Sequence, residues 1–246
     1  MNISITERPF FYPAVIISIG IVLASLFAGF FISKIRGSDN ALSVTGSAMQ
    51  HVVSDTAKLS GSITRTVDEG GIPGGYTMIA ADAAKIKKMA MDAGLTEKDI
   101  TMLAPTVYEQ FSYGQNGQIT ARNYVVSEQI ILNSSSTEVI KTFSDKAVDI
   151  ASMGIRFQTG GPEYYYSKLP ELRISLLGDA IKDAKARANS IAKSANNSVG
   201  GLRSASVGIV QVLAPNSTNI SDYGTYDTST LEKDVMVTVR AEFGIN

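Results

Sequence analysis

The hydrophobic pattern divides the chain into one uninterrupted apolar run and a body of shorter amphipathic segments. Residues 10–32, from Phe10-Phe11-Tyr12 to Phe30-Phe31-Ile32, carry no charge. As a helix they reach about 34 Å, enough to cross a hydrocarbon core of about 30 Å. From Val53 to Val67 the odd positions read Val, Asp, Ala, Leu, Gly, Ile, Arg, Val, and the even positions from Ser54 to Thr66 are all Ser, Thr or Lys. That period of two predicts a long strand with one wet face. Gly70–Gly75 breaks it, and Ile79, Ala83, Ile86, Ala90 and Ala93 then recur at helical spacing up to Gly94, a natural left-handed stop. Residues 100–111 and 119–132, rich in Thr, Val, Tyr, Phe and Ile, flank Ser112–Gln118 and predict a hairpin. Ser135-Ser136-Thr137-Glu138 has the form of a capping box, opening a helix with the stripe Ile140, Phe143, Ala147 and Ile150 that closes at Gly154. A strand from Ile155, a turn at Gly160-Gly161-Pro162, and a helix from Pro170 and Glu171 to about Ala195 follow. Val235, Val237, Val239, Ala241 and Phe243 alternate in a last strand.

The order strand–helix–strand–strand therefore occurs twice, over residues 53–132 and 155–243, with the helix at 136–153 between. Right-handed crossovers would set each first strand parallel to a hairpin strand. The expected fold is α+β: an N-terminal transmembrane helix, then a body of two strand–helix–hairpin units joined by a helix. Residues 1–36 form the tail and anchor, 37–41 a linker, and 42–246 the body.

A signal peptide has a basic start, a shorter apolar core and a small-residue cleavage site. Here Glu7 and Arg8 nearly cancel, and Ala24-Ser25-Leu26 and Ala28-Gly29 are weak cleavage signals, so a retained anchor in contact with membrane lipid is expected. Arg8 on one side and Lys34 and Arg36 on the other leave its orientation open. Gly20, Ala24 and Ala28 share one stripe of that helix, and Ser25 and Gly29 lie on the next. Small residues at this spacing let membrane helices approach closely, although they are also ordinary membrane-helix composition. A second small column, Ala180, Ala184, Ala188 and Ala192, fits either a helix lying tightly on its own sheet or a subunit interface. Asp183 and Arg187 stand one turn apart as a surface pair.

Composition narrows the chemistry. The net charge is -1, with 22 basic and 23 acidic residues intermingled, so no basic field exists for nucleic acid. With no Cys, disulfides, thiolate catalysis and thiolate metal sites are excluded, and the single histidine, His51, rules out a multi-histidine zinc site within one chain. His51 with Asp55 is formally compatible with a hydrolytic triad, but no nucleophile elbow accompanies them. Gly70–Gly75 lacks the Gly-Lys-Ser/Thr ending of a phosphate loop. The polar loop Pro215–Thr230 contains Asp222, Tyr223, Tyr226 and Asp227 without calcium-loop spacing. Loops of that length are commonly functional or disordered. Tyr164, Tyr165 and Tyr166, with Tyr223 and Tyr226, are the candidate partner surface, since tyrosine joins a large apolar face to a polar tip. Asp55, Glu109, Glu128 and Glu163 are acids whose pairing cannot be read from spacing. No catalytic residue, metal or cofactor is expected.

The stretch Pro162–Ser167, Leu169, Leu172 and Arg173, followed by Ala180, Asp183, Ala184, Lys185, Arg187, Ala188 and Ala192, resembles the helix of the SIMPL-domain family with its A-x-x-D-A-[KR]-x-[RK]-A character. Val44-Thr45-Gly46, then Asp55 and Ala57 leading an alternating strand, resembles the same family's opening signature, and the element order fits residues 42–244. The resemblance implies an exported bacterial envelope protein, typically periplasmic, with a body able to form ring-like homo-oligomers and an association with oxidative-stress defence. Many relatives look like cleaved secretory proteins, whereas this chain keeps an anchor, placing it as a single-pass protein of the inner membrane with its body facing the periplasm. The expectation is a self-assembling scaffold or indirectly protective protein, not an enzyme. The alternative is a tethered binding module for a small ligand or peptide. No protein partner other than itself is indicated.

Overall fold

A computed structural model describes residues 11–36 and 41–246. The N-terminal tail and most of the expected linker lie outside the described residues. Helix α1 (Phe11–Arg36) contains the stretch Tyr12–Phe30, of mean hydropathy 2.3, and none of that stretch is buried by the rest of the chain. Two of its serines bond to the helix itself: the Ser18 hydroxyl donates to the Ala14 carbonyl and the Ser25 hydroxyl to the Val22 carbonyl, both at 2.8 Å. The helix is long and apolar enough to cross a membrane, as an anchor or as a signal sequence.

The body is mixed α/β, with strands β1 (Ala41–Val53) and β2 (Thr56–Val67), helix α2 (Ile72–Asp92), and strands β3 (Ile100–Met102), β4 (Thr106–Tyr113) and β5 (Ile119–Ser134). Helices α3 (Thr137–Asp145) and α4 (Ala147–Ser152), strand β6 (Arg156–Tyr165), helix α5 (Leu169–Ser194), and strands β7 (Val199–Val207), β8 (Gln211–Leu213) and β9 (Glu232–Ile245) follow. One sheet has the order β1-β9-β7, with β8 also on β9; the other has the order β3-β5-β2-β6, with β4 also on β5.

The chain divides into two compact units: residues 1–47, 180–207 and 239–246, and residues 48–179 and 208–238. In the second, α2 and α3 cover one face of β2 and β5, and α4 lies on β6. Leu59, Ile63, Val126, Ile130 and Leu132 from the sheet meet Ile79, Ile86, Ile140, Phe143 and Ile150 from the helices there. The alternation predicted for β2 is observed, with Ala57, Leu59, Gly61 and Ile63 buried and the Ser and Thr positions on the wetter face. In the first unit, Val44, Ala184, Ala188, Ala241 and Phe243 form the core.

Several expectations are corrected. The long strand does not begin at Val53: β1 precedes it, carries His51 within it, and ends before Ser54. The pairing of β2 with its neighbour β5 is antiparallel, from Ala57 opposite Ser134 to Val67 opposite Tyr124. The second hairpin strand, not the first, takes the place beside β2, because β5 runs on past β4 and its apolar end belongs over the core. Residues 100–111 split at Leu103-Ala104-Pro105 into β3 and β4, both paired to β5. The helix at 136–153 breaks at Lys146, leaves Ala147 exposed and has no side-chain cap at Ser136; a reciprocal capping box is found instead at Thr96 with Asp99. Gly160-Gly161 is no turn. Strand β6 passes through it with a bulge opposite Leu59–Gly61, and Gly161 takes a φ of +92°. Gly94, at φ +107°, ends α2 as predicted. From the Gln110–Asn123 pair outwards the β4–β5 ribbon is supported by no third strand among the described residues, since β2 reaches only to Tyr124.

Candidate functional site

The small column of α5 is taken up inside the chain. Ala180, Ala184 and Ala188 are wholly buried and Ala192 is 2 % exposed, so the own-sheet reading of this column is the one the structure shows, and the stripe has no surface to offer a second subunit. Gly46 is the reason the helix fits so closely. A Cβ there would stand 2.2 Å from the Ala180 carbonyl oxygen and 2.4 Å from the Ala184 nitrogen. One residue on, the Ser47 N–H donates to Asp183 Oδ2 at 2.8 Å, and Arg187 Nε approaches the same oxygen at 2.8 Å. The Ser47 bond first, and then Arg187, hold the Asp183 carboxyl below its ordinary value. Asp183 is thus a strand-to-helix clamp and not only half of a surface pair.

The tyrosine strand sorts its residues by alternation. Tyr164 packs against the core under α3 and its N–H donates to the Thr228 carbonyl at 2.7 Å. The Tyr165 hydroxyl donates to Glu163 Oε2 at 2.7 Å, and its ring meets that of Tyr226 at 5.9 Å and 41°. The bond to Glu163, burial and the nearby negative charge push the Tyr165 hydroxyl up to about 12. The Tyr166 N–H donates to the Tyr226 hydroxyl at 3.5 Å. Tyr165, Tyr166 and Tyr226 are therefore brought together, while Tyr164 turns inward and Tyr223 stands 94 % exposed.

The loop after β8 is a hydrogen-bonded frame. The buried Gln211 side chain donates to the Ser221 carbonyl at 2.6 Å and accepts from the Thr225 N–H at 2.8 Å. Val212 N–H donates to the Thr225 carbonyl, and Asp227 N–H donates to the Val212 carbonyl, both at 2.8 Å. The Asp227 carboxylate accepts from the Ser229 hydroxyl at 2.7 Å and from the Thr230 hydroxyl and N–H. Burial opposes its charge, but these bonds outweigh it and hold the group well below the usual carboxylate range. Lys233, with no exposed side-chain surface, donates to the Asp227 and Thr230 carbonyls at 2.5 and 2.7 Å. Burial pushes its ammonium downward, and Asp227 pulls the other way.

Beside this frame lies a cleft of about 360 Å³. Ile209, Val210 and Val212 supply aliphatic lining, Tyr223 and Tyr226 supply rings, and Arg173 of α5 supplies a cation. Arg173 is exposed and has no hydrogen-bond or ion-pair partner among the described residues. Its place on the outer face of an amphipathic helix reads as ordinary solvation in sequence, and only the return of the loop gives it neighbours.

The remaining candidates stay apart. His51 Nδ1 meets Asp234 Oδ1 at 2.9 Å, while Asp55 is engaged by the Ser167 N–H at 2.8 Å and hydroxyl at 2.6 Å. Glu109 faces Arg122 at 3.6 Å, Glu163 faces Lys58 at 3.8 Å, and Glu128 lies buried opposite Ile63, where burial raises its carboxyl. At the start of α2 the Gly71 N–H donates to Asp68 Oδ1 at 2.7 Å, so the chain's own carboxylate occupies the position a phosphate would take. Among the described residues no group of three His, Asp or Glu side chains could hold a metal ion.

The fold and site define a mixed α/β body of antiparallel sheets behind an apolar N-terminal helix. Residues 42–243 match the family described as SIMPL, protein of unknown function (DUF541), and the chain belongs to it. Of the segments carrying the resemblance, Val44–Gly46 and Ala180–Ala192 meet in the first unit, where Gly46 packs on Ala180 and Ala184, and Asp183 holds Ser47. No curated protein matches the chain.

Proposed function

We propose that the chain is a membrane-anchored SIMPL protein of the bacterial envelope that self-associates through its anchors and acts as a scaffold. Its body stands on the periplasmic side as a ring-like homo-oligomer, and any protection against oxidative stress is indirect. The observation that carries this reading is α1, an apolar helix with none of Tyr12–Phe30 buried by its own chain. Left in water, that surface costs about 25 cal/mol per Å² of apolar area, so it is covered by lipid or by other helices. Gly20, Ala24, Ala28, Ser25 and Gly29 provide for close approach in the second case. The test is the mass of the full chain in mild detergent beside that of a chain beginning at Asn40. A defined oligomer of the full chain supports the scaffold, and a monomer in both sinks it. Recovery of the full chain in a salt-washed membrane fraction is expected, and recovery as a processed soluble protein excludes the anchor.

The Arg173 cleft favours a second reading, a tethered binding module that takes a small ligand at the loop after β8. Protein-to-ligand contacts confined to Tyr223 and Tyr226 would support it.

A further inference from the structure

We propose that the cleft formed by Arg173, Tyr223 and Tyr226 binds an aromatic monocarboxylate, its anion on the guanidinium and its ring against the tyrosines. This rests on the binding-module reading and adds the ligand's chemistry. Arg173 follows the buried Leu172 and stands one turn from the buried Leu169 and Leu176, which fix the helix beneath it. Other arginines of the body have carboxylates, as Arg65 has Asp82, Arg122 has Glu109 and Arg187 has Asp183. Arg173 has none among the described residues, and no acidic side chain lines its cleft. A guanidinium beside rings and aliphatic carbons offers a carboxylate a two-point bond and its apolar part a surface to cover. One such cation matches a monoanion; a phosphate dianion calls for more donors than are here.

The rest of the lining selects an apolar, flat body. Ile209 is 48 % exposed and Val212 is buried, so an aliphatic surface is left open beside the two tyrosines. Tyrosine rings favour a second ring in offset or edge contact. The volume of about 360 Å³ lies at the small end of ligand sites, which run from about 300 to 1,000 Å³, and suits a single-ring compound. The cleft wall is preorganised: Gln211 pins Ser221 and Thr225, and Gly224 sits where a Cβ would meet Ile209 at 2.7 Å.

The experiment uses the full chain in mild detergent and ligand-detected saturation transfer with 3-phenylpropionate, 3-phenylpropanamide and propionate. Micelle partition is common to wild type and variants and cancels between them. We expect millimolar binding of 3-phenylpropionate, weakened about tenfold by Arg173→Gln and by the carboxamide, and partly restored by Arg173→Lys. Tyr223→Ala should weaken it as well, and propionate should bind least. Equal binding of acid and amide, or an unchanged affinity in Arg173→Gln, overturns the anion assignment while the module reading stands. Absence of contact by both phenyl compounds with the wild type overturns both. Arg173 is exposed, so Arg173→Gln should keep the wild-type thermal transition, and a shifted transition would transfer the test to Tyr223→Ala.

Discussion

A methyl group at position 46 would stand within 2.5 Å of two backbone atoms of α5, the Ala180 oxygen and the Ala184 nitrogen. Neither atom belongs to a side chain that can swing aside, so Gly46→Ala must push helix from strand. The expected loss is about 2–3 kcal/mol, read from the denaturant midpoint, and an unchanged midpoint would mean that α5 does not lie where it is placed. Asp227 makes a prediction of a different kind. Its folded-state value lies below the ordinary 3.8, so its contribution to stability is complete above that value and is lost as pH falls through the lower folded one. Wild type should therefore lose stability steadily below about pH 4. Asp227→Asn should start lower and lose less over the same range, which urea melts at stepped pH would reveal. Lys233→Met removes a donor from the Asp227 and Thr230 carbonyls, at a cost of about 1–3 kcal/mol if neither finds water.

Among the elements, those with an uninterrupted period were legible. Strands β2 and β9 alternate and α2 and α5 repeat their apolar positions; α5 lies within a residue of its expected bounds, whereas β2 starts three residues late at Thr56, α2 starts inside the glycine run at Ile72, and β9 starts at Glu232, ahead of Val235. Strand β1 was not legible, because its residue types do not follow its burial: Val44, Gly46 and Val52 turn inward, yet the apolar Met49 and Val53 are exposed beside His51. The Gly160-Gly161-Pro162 signal is real but local, and only the partner strand decides between a turn and a bulge. Strand neighbours were beyond reach for the same reason, since nothing in the spacing of β5 says that it inserts beside β2. Of the cleft, the tyrosines were legible as amphipathic side chains, whereas Arg173 gains its neighbours, and Lys233 beneath the loop its burial, only when residues distant in sequence return beside them. For α1 the period says little, and composition carries the prediction. Substituting Gly20, Ala24 and Ala28 together with Leu should reduce the oligomer mass in detergent, and an unchanged mass would remove these residues from any helix contact.

At the scale of the whole molecule, tethering sets the terms of association. Under the proposed function, bodies held on one membrane by α1 would meet at an effective concentration far above that of the same bodies free in solution, so weak contacts between them would gain weight. A chain lacking residues 1–39 is then expected to dissociate on dilution even where the full chain does not. The unsupported outer end of the β4–β5 ribbon has a further consequence. Two strands without a third have little stability of their own, and opening there exposes Ser112–Gln118 without disturbing the core between α2 and the sheet. A protease should cut at this tip under native conditions, and the nicked protein should melt where the intact one does. The molecule would then behave as a folded body bearing a dispensable appendage, whose integrity no global melting curve can report.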